Sequence, residues 1–148
     1  MIHSYQVPNY WTWKIFLCVT DEDESLSEIA KYYNNKYGFH INEGLDGESP
    51  CCMYDNEDLI AIVCINKWEF NSYYLGTLAH EILHMLICIS YTCECPINVH
   101  TSECWAYTMN SFMETFVEIL NTHHLKKGKR RHARRNIRQR SRKRHSLR

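Results

Sequence analysis

The sequence predicts an α+β fold in which a small antiparallel sheet is covered by helices. Residues 11–20 alternate as a strand does, with one side formed by Trp11, Trp13, Ile15, Leu17 and Val19. Two short apolar runs, residues 51–54 and 59–65, enclose a polar turn and predict a hairpin. Stretches in which apolar residues recur at helical spacing precede and follow the hairpin. The expected order is therefore strand, helix, hairpin and two further helices.

Three helices are expected, and each has its own local signal. Ser25 and Glu28 form a capping-box pattern, and Gly38 supplies a C-terminal stop. Residues 72–89 are apolar nearly all round, as in a buried helix, and Pro96 falls in the loop that follows. The last helix is expected over residues 102–121, with an apolar stripe of Ala106, Met109, Met113, Phe116, Val117 and Leu120.

The charges divide the chain into two parts. The seventeen basic residues balance the seventeen acidic ones, but thirteen of the basic residues lie in residues 126–148, which contain no acid. Residues 1–125 therefore carry a net charge of −13 and residues 126–148 a net charge of +13, with histidine taken as neutral. This division predicts a folded acidic domain, 1–125, and a disordered basic tail, 126–148.

Membrane and secretion signals are not evident in the sequence. No stretch approaches the eighteen apolar residues of a membrane span, and the N-terminus does not have the pattern of a cleaved leader. Eight cysteines without such a leader favour a reducing compartment. We therefore expect a cytoplasmic protein with no membrane partner.

The most informative motif lies in the helix expected over residues 72–89. His80 and His84 are four residues apart on the expected helix, with Glu81 directly after the first histidine. On a helix this spacing places both imidazoles on one face, where they can bind one zinc ion. Glu81 lies about 100° further round the axis, from where it can reach a water held by the metal. The alternative interpretation is a pair of hydrogen-bonded core histidines.

A third ligand is needed, and the sequence offers several. Glu103 follows His84 by nineteen positions, at the start of the last predicted helix. His100 and the thiols of Cys93, Cys95 and Cys104 lie in the same connecting region. Glu103 could instead begin a solvated helix face. A second, structural zinc site could be formed by Cys93, Cys95, His100 and Cys104.

The two histidines and Glu103 resemble the motif of the gluzincin metallopeptidases, the thermolysin-like class. The Glu-x-x-Ala-Tyr context at Glu103 is also similar to small phage-encoded metallopeptidase-like proteins, and the resemblance covers residues 72–120. It implies a zinc metallopeptidase with a minimal gluzincin-like core, in which His80, His84 and Glu103 bind Zn²⁺. It also implies a protein or peptide substrate, a zinc-bound water with Glu81 as the base, and the host cytoplasm for a phage-encoded chain.

Tyr107 is the candidate for stabilising the negative charge that develops on the substrate oxygen. It lies one helical turn after Glu103 on the same face, so it can act as that donor or can orient the glutamate. Tyr91 is a weaker candidate, and both tyrosines have an ordinary packing role as the alternative.

A second class of function competes with hydrolysis. The basic tail is typical of nonspecific nucleic-acid binding, which favours a nonenzymatic nucleic-acid-binding protein with a structural zinc site and a basic arm. A third, intermediate possibility is a protease that its basic arm brings to DNA, as in Spartan-like enzymes. Those enzymes have a third histidine where this chain has a glutamate, so the match is poorer. The tail could also only aid solubility, or fold back onto the acidic domain.

Overall fold

A computed structural model of the chain describes residues 1–8, 12–21, 24–47, 49–66 and 68–145, with side chains described as far as residue 124. The structure has an α+β fold, which confirms the predicted class. Seven elements follow one another along the chain: β1 (Ile2–Val7), β2 (Lys14–Thr20), α1 (Leu26–Tyr37), β3 (Cys51–Asp55), β4 (Ile60–Asn66), α2 (Ser72–Thr92) and α3 (Ser102–His145).

The four strands form one mixed sheet in the order β1-β2-β4-β3. β1 pairs antiparallel with β2, and β3 with β4, but β2 and β4 are parallel. The prediction of a wholly antiparallel sheet is therefore wrong. The reason is the connection: α1 carries the chain back across the sheet, so that the β3–β4 hairpin places β4 beside β2 in the same direction.

The two central strands are buried on both faces of the sheet. Ile15, Leu17 and Val19 of β2 pack with α2 and α3 on one face, while Phe16 and Cys18 pack with α1 on the other. β4 alternates in the same way. Helices therefore cover both faces, and burial of apolar surface at roughly 25 cal/mol per Å² is the main source of stability.

The strongest local signals of the sequence are confirmed. Ser25 caps α1, its capping box with Glu28 is complete, and Gly38 ends the helix in a left-handed conformation with φ of 72°. The predicted hairpin is β3 and β4. The first predicted strand corresponds to β2, which begins at Lys14, and Trp11 lies outside the described residues.

β1 was not predicted. Its sequence, Ile-His-Ser-Tyr-Gln-Val, places polar residues on both faces, so it gives little apolar alternation. The strand is held by its complete register with β2, from Ile2 opposite Thr20 to Val7 opposite Ile15.

α3 differs most from its predicted length. Its backbone is helical to His145, although the sequence predicted an end near residue 121 and a disordered tail from 126. Residues 126–145 contain no proline and are rich in arginine and lysine, which have high helix propensity, so the backbone can continue the helix. The division into a domain and a tail stays a prediction. In the described part of the chain, no helix is both long and apolar enough to cross a membrane.

Candidate metal centre on α2

α2 carries the histidine motif and is held in place from one side. Asn71 caps its N-terminus by accepting a hydrogen bond from the backbone N–H of Tyr74, at 3.1 Å. The inner face of the helix is buried against the sheet and α3 through Leu78, Ile82, Met85, Leu86 and Ile89. His80 and His84 lie on the exposed side. The motif is thus on a helix that is anchored through its inner face, with its imidazoles open to solvent.

The two imidazoles converge. The Nε2 atoms of His80 and His84 are 3.1 Å apart, and the ring centroids are 4.7 Å apart in an edge-on arrangement. Two nitrogens bound to one zinc at the tetrahedral angle are separated by about 3.4 Å. The observed pair therefore needs only a small adjustment to bind one ion, although a hydrogen bond between the two rings explains the same distance without a metal.

Glu81, about 100° further round α2 than His80, is buried. Its side chain is only 7% exposed and lies against the edge strand β3. Burial raises the pKa of its carboxyl, while His80, His84 and a hydrogen bond from the backbone N–H of Cys52 act to lower it. Because burial is the largest of these effects, the ionised carboxylate is held at a cost in free energy.

Cys52 is a neighbour of this carboxylate that the sequence did not single out. Burial raises the pKa of the Cys52 thiol, and the negative charge of Glu81 raises it further, so the thiol stays protonated. Only the pairing of β3 with β4 brings Cys52 near α2, and no local spacing in the sequence could have indicated it.

Glu103 does not form a close group of ligands with the two histidines. Among the described residues, His80, His84 and Glu103 do not form a set whose ligand atoms all lie within 4.8 Å of one another. His84 lies about 12 Å along the helix axis from the end of α2, whereas Glu103 is exposed in the first turn of α3. Tyr107 and Tyr91 are also solvent-exposed, at 71% and 76%.

The alternative ligands do not form a close group either. His100, Cys93 and Cys104 are exposed, while Cys95 is half-buried beside the core. Within the described part of the chain these four residues do not form a set of three or more close ligand atoms. All eight cysteines are described, and none forms a disulfide.

The close set of ligand atoms in the described structure lies elsewhere, at His3, Asp21 and His123. These residues come from β1, the turn after β2, and α3. No local pattern in the sequence indicates this cluster, because its members are far apart in the chain.

Comparisons with models of known protein families, with curated proteins and with solved structures find nothing that matches this chain.

Proposed function

We propose that this chain is a zinc-dependent metallopeptidase whose centre is His80, Glu81 and His84 on α2. The observation that carries the proposal is the convergence of two exposed Nε2 atoms, 3.1 Å apart, beside a carboxylate that is buried against an edge strand. A buried glutamate next to two convergent imidazoles is costly for the fold, and costly polar groups are typical of functional sites.

The residues on α2 fit two ligand positions of a zinc ion. Imidazole nitrogen is a preferred zinc ligand, and catalytic zinc sites keep a position open to water. Both rings are exposed, which suits an open site better than a closed structural one. For the third ligand we retain Glu103, which would have to approach the histidines when the ion binds.

The residues of the chain have separate roles in the proposed reaction. Bound zinc would supply a water of lowered pKa and would polarise the peptide carbonyl. Glu81 accepts a proton from the attacking water and delivers it to the leaving nitrogen. The backbone N–H of Cys52 orients the Glu81 carboxylate through its hydrogen bond. Tyr107 is proposed to stabilise the negative charge on the substrate oxygen after a local movement of α3.

The edge strand β3 suggests how a substrate would bind. β3 is the last strand of the sheet, so its outer edge has no strand partner among the described residues. An extended peptide can add to such an edge through main-chain hydrogen bonds. Because Glu81 contacts Cys52 of β3, a peptide bound along this edge would pass close to the proposed base.

The test is zinc-dependent cleavage of unfolded protein. The chain is treated with EDTA, reloaded with one or two equivalents of zinc, and incubated with reduced casein, and the products are identified by mass spectrometry. We expect cleavage that EDTA abolishes, and a loss of at least about 100-fold in Glu81→Gln, since a general base contributes that much or more. Glu81→Gln should still bind zinc.

Glu114→Gln is the matched control, because Glu114 is an exposed carboxylate on α3. It should cleave casein as the unchanged chain does. Full activity in Glu81→Gln would refute the role of Glu81 as the base.

The competing function is binding of nucleic acid by the basic arm, residues 126–148. The concentration of thirteen basic residues there supports it, and twelve of them belong to the stretch whose backbone is helical, up to His145. The two functions are compatible if the arm delivers the peptidase to nucleic acid. A chain that binds nucleic acid but never cleaves protein would favour the nonenzymatic alternative. The substrate and the cytoplasmic location stay predictions.

A further inference from the structure

We propose a second metal site, separate from α2, in which His3, Asp21 and His123 bind a divalent transition-metal ion such as Zn²⁺. The ligand atoms of the three side chains all lie within 4.8 Å of one another. His3 Nε2 is 3.8 Å from Asp21 Oδ2, and the rings of His3 and His123 meet edge-on with centroids 4.5 Å apart.

The backbone brings these residues together from three elements. His3 lies opposite Val19 in the pairing of β1 with β2, so it is next to the end of β2, where Asp21 follows. The backbone N–H of Asp21 donates a hydrogen bond to the carbonyl of Met1, at 3.3 Å. His123 of α3 joins the same cluster through its contacts with His3 and Tyr5.

Tyr5 orients one of the proposed ligands. Its hydroxyl is 2.7 Å from Nδ1 of His123, and it lies two residues after His3, on the same face of β1. In the tautomer in which Nδ1–H of His123 donates this hydrogen bond to the hydroxyl oxygen, Nε2 of His123 carries the lone pair that a metal requires. Metal-binding histidines commonly donate their second ring N–H to such a partner.

The donor set and its spacing fit a transition metal. Two imidazole nitrogens and one carboxylate oxygen are ligands for zinc and related divalent ions, and ligands of a tetrahedral ion are about 3.4 Å apart. The 3.8 Å between His3 and Asp21 is too long for a hydrogen bond and is close to this ligand spacing. Both side chains are 27% exposed, so an ion and a completing water can reach them.

The two sites are independent of each other. β1 and β3 are the opposite edges of the sheet, about 14 Å apart at three strand spacings. A metal at His3, Asp21 and His123 would join α3 to β1 immediately before the basic segment that begins at residue 126. We therefore infer a structural role: the ion would fix the base of the basic arm to the sheet.

The experiment is a zinc titration of the full-length, EDTA-treated chain, with bound zinc counted by elemental mass spectrometry. His3→Gln, His123→Gln and Asp21→Asn should each bind one zinc fewer per chain than the unchanged protein. His124→Gln is the matched control, because His124 is the exposed neighbour of His123 on α3, and it should bind the full number. Equal stoichiometry and affinity in His3→Gln and His123→Gln would overturn the proposal.

The same titration separates this proposal from the proposed peptidase centre. The double variant His80→Gln/His84→Gln should lose one zinc and keep the one at His123. If that double variant loses none, the peptidase proposal fails while this one stands.

A second measurement uses the unchanged protein and does not depend on the folding of variants. Diethyl pyrocarbonate modifies accessible unprotonated imidazoles, and modified peptides can be quantified by mass spectrometry. Zinc should slow the modification of His3 and His123 by at least about fivefold and leave the exposed His40 and His124 unaffected. Equal modification with and without zinc would also overturn the proposal.

Discussion

Glu81→Gln should stabilise the metal-free protein near neutral pH while abolishing its activity. Burial is the main influence on this carboxyl and raises its pKa above the ordinary value of 4.5. An acid with a raised pKa binds its proton more tightly in the folded chain than in the unfolded one. The contribution of Glu81 to the free energy of unfolding is therefore fully present below about pH 4.5, is lost as pH rises through the folded-state pKa of Glu81, and does not change further above it.

The magnitude follows from two opposing effects. Glutamine keeps an oxygen that can accept the Cys52 N–H, but the bond to a neutral group is weaker by about 1 kcal/mol. The raised pKa of Glu81 is the net result of burial and these favourable interactions, so removing the buried charge should stabilise the folded chain overall. Each tenfold change in proton affinity corresponds to about 1.4 kcal/mol. We therefore expect a net gain in stability at pH 7, seen as a higher Tm, where each 1 kcal/mol gained corresponds to about 3 °C in a chain of this size.

The assay is thermal unfolding of the EDTA-treated protein by circular dichroism, at intervals from pH 3.5 to pH 8. The difference in Tm between Glu81→Gln and the unchanged chain should grow between pH 4.5 and pH 7 and vanish at pH 3.5. Glu114→Gln, an exposed carboxylate on α3, should show no comparable gain. A Tm difference that does not depend on pH, or a less stable variant at pH 7, would refute the electrostatic reasoning.

The other predictions concern the third ligand, the helix cap and the arm. Glu103→Ala should weaken zinc binding at α2 by at least about tenfold in a competition titration, whereas unchanged affinity would return the third ligand to His100 or a cysteine. Asn71→Ala should lower the free energy of unfolding by about 1 kcal/mol in urea titrations, because it removes the cap of α2, and Asn71→Asp should largely retain it. Replacing four arginines of residues 126–148 with glutamine should flatten the dependence of DNA affinity on salt, since each phosphate contact contributes about 0.9 to the slope of log K against log salt. An unchanged slope would exclude the arm from DNA contact.

Local patterns predicted the elements whose causes are local. The capping box of α1, the polar turn between β3 and β4, and the four-residue spacing of His80 and His84 each depend on neighbours within one or two turns of chain. The structure has all three, and the two imidazoles do converge. The gluzincin-like identity and the zinc-dependent chemistry remain proposals that only experiment can test.

Features set by distant parts of the chain were not predicted. The parallel pairing of β2 with β4 depends on where α1 crosses the sheet, and β1 gains its stability from pairing with β2. Likewise, Cys52 reaches Glu81 and His123 reaches His3 only after the sheet and helices have packed. The position of Glu103 relative to His84 also depends on the connection between α2 and α3, which spacing in the sequence does not describe.

The burial of β2 and β4 on both faces has a consequence for how metal binding and folding are coupled. In a zinc finger the ion supplies much of the folding free energy, and the metal-free chain is unfolded. Here the buried residues of the two apolar clusters include none of the candidate metal ligands. The metal-free chain should therefore already be folded, and zinc binding should require only local rearrangement, such as the approach of Glu103 to the two histidines of α2.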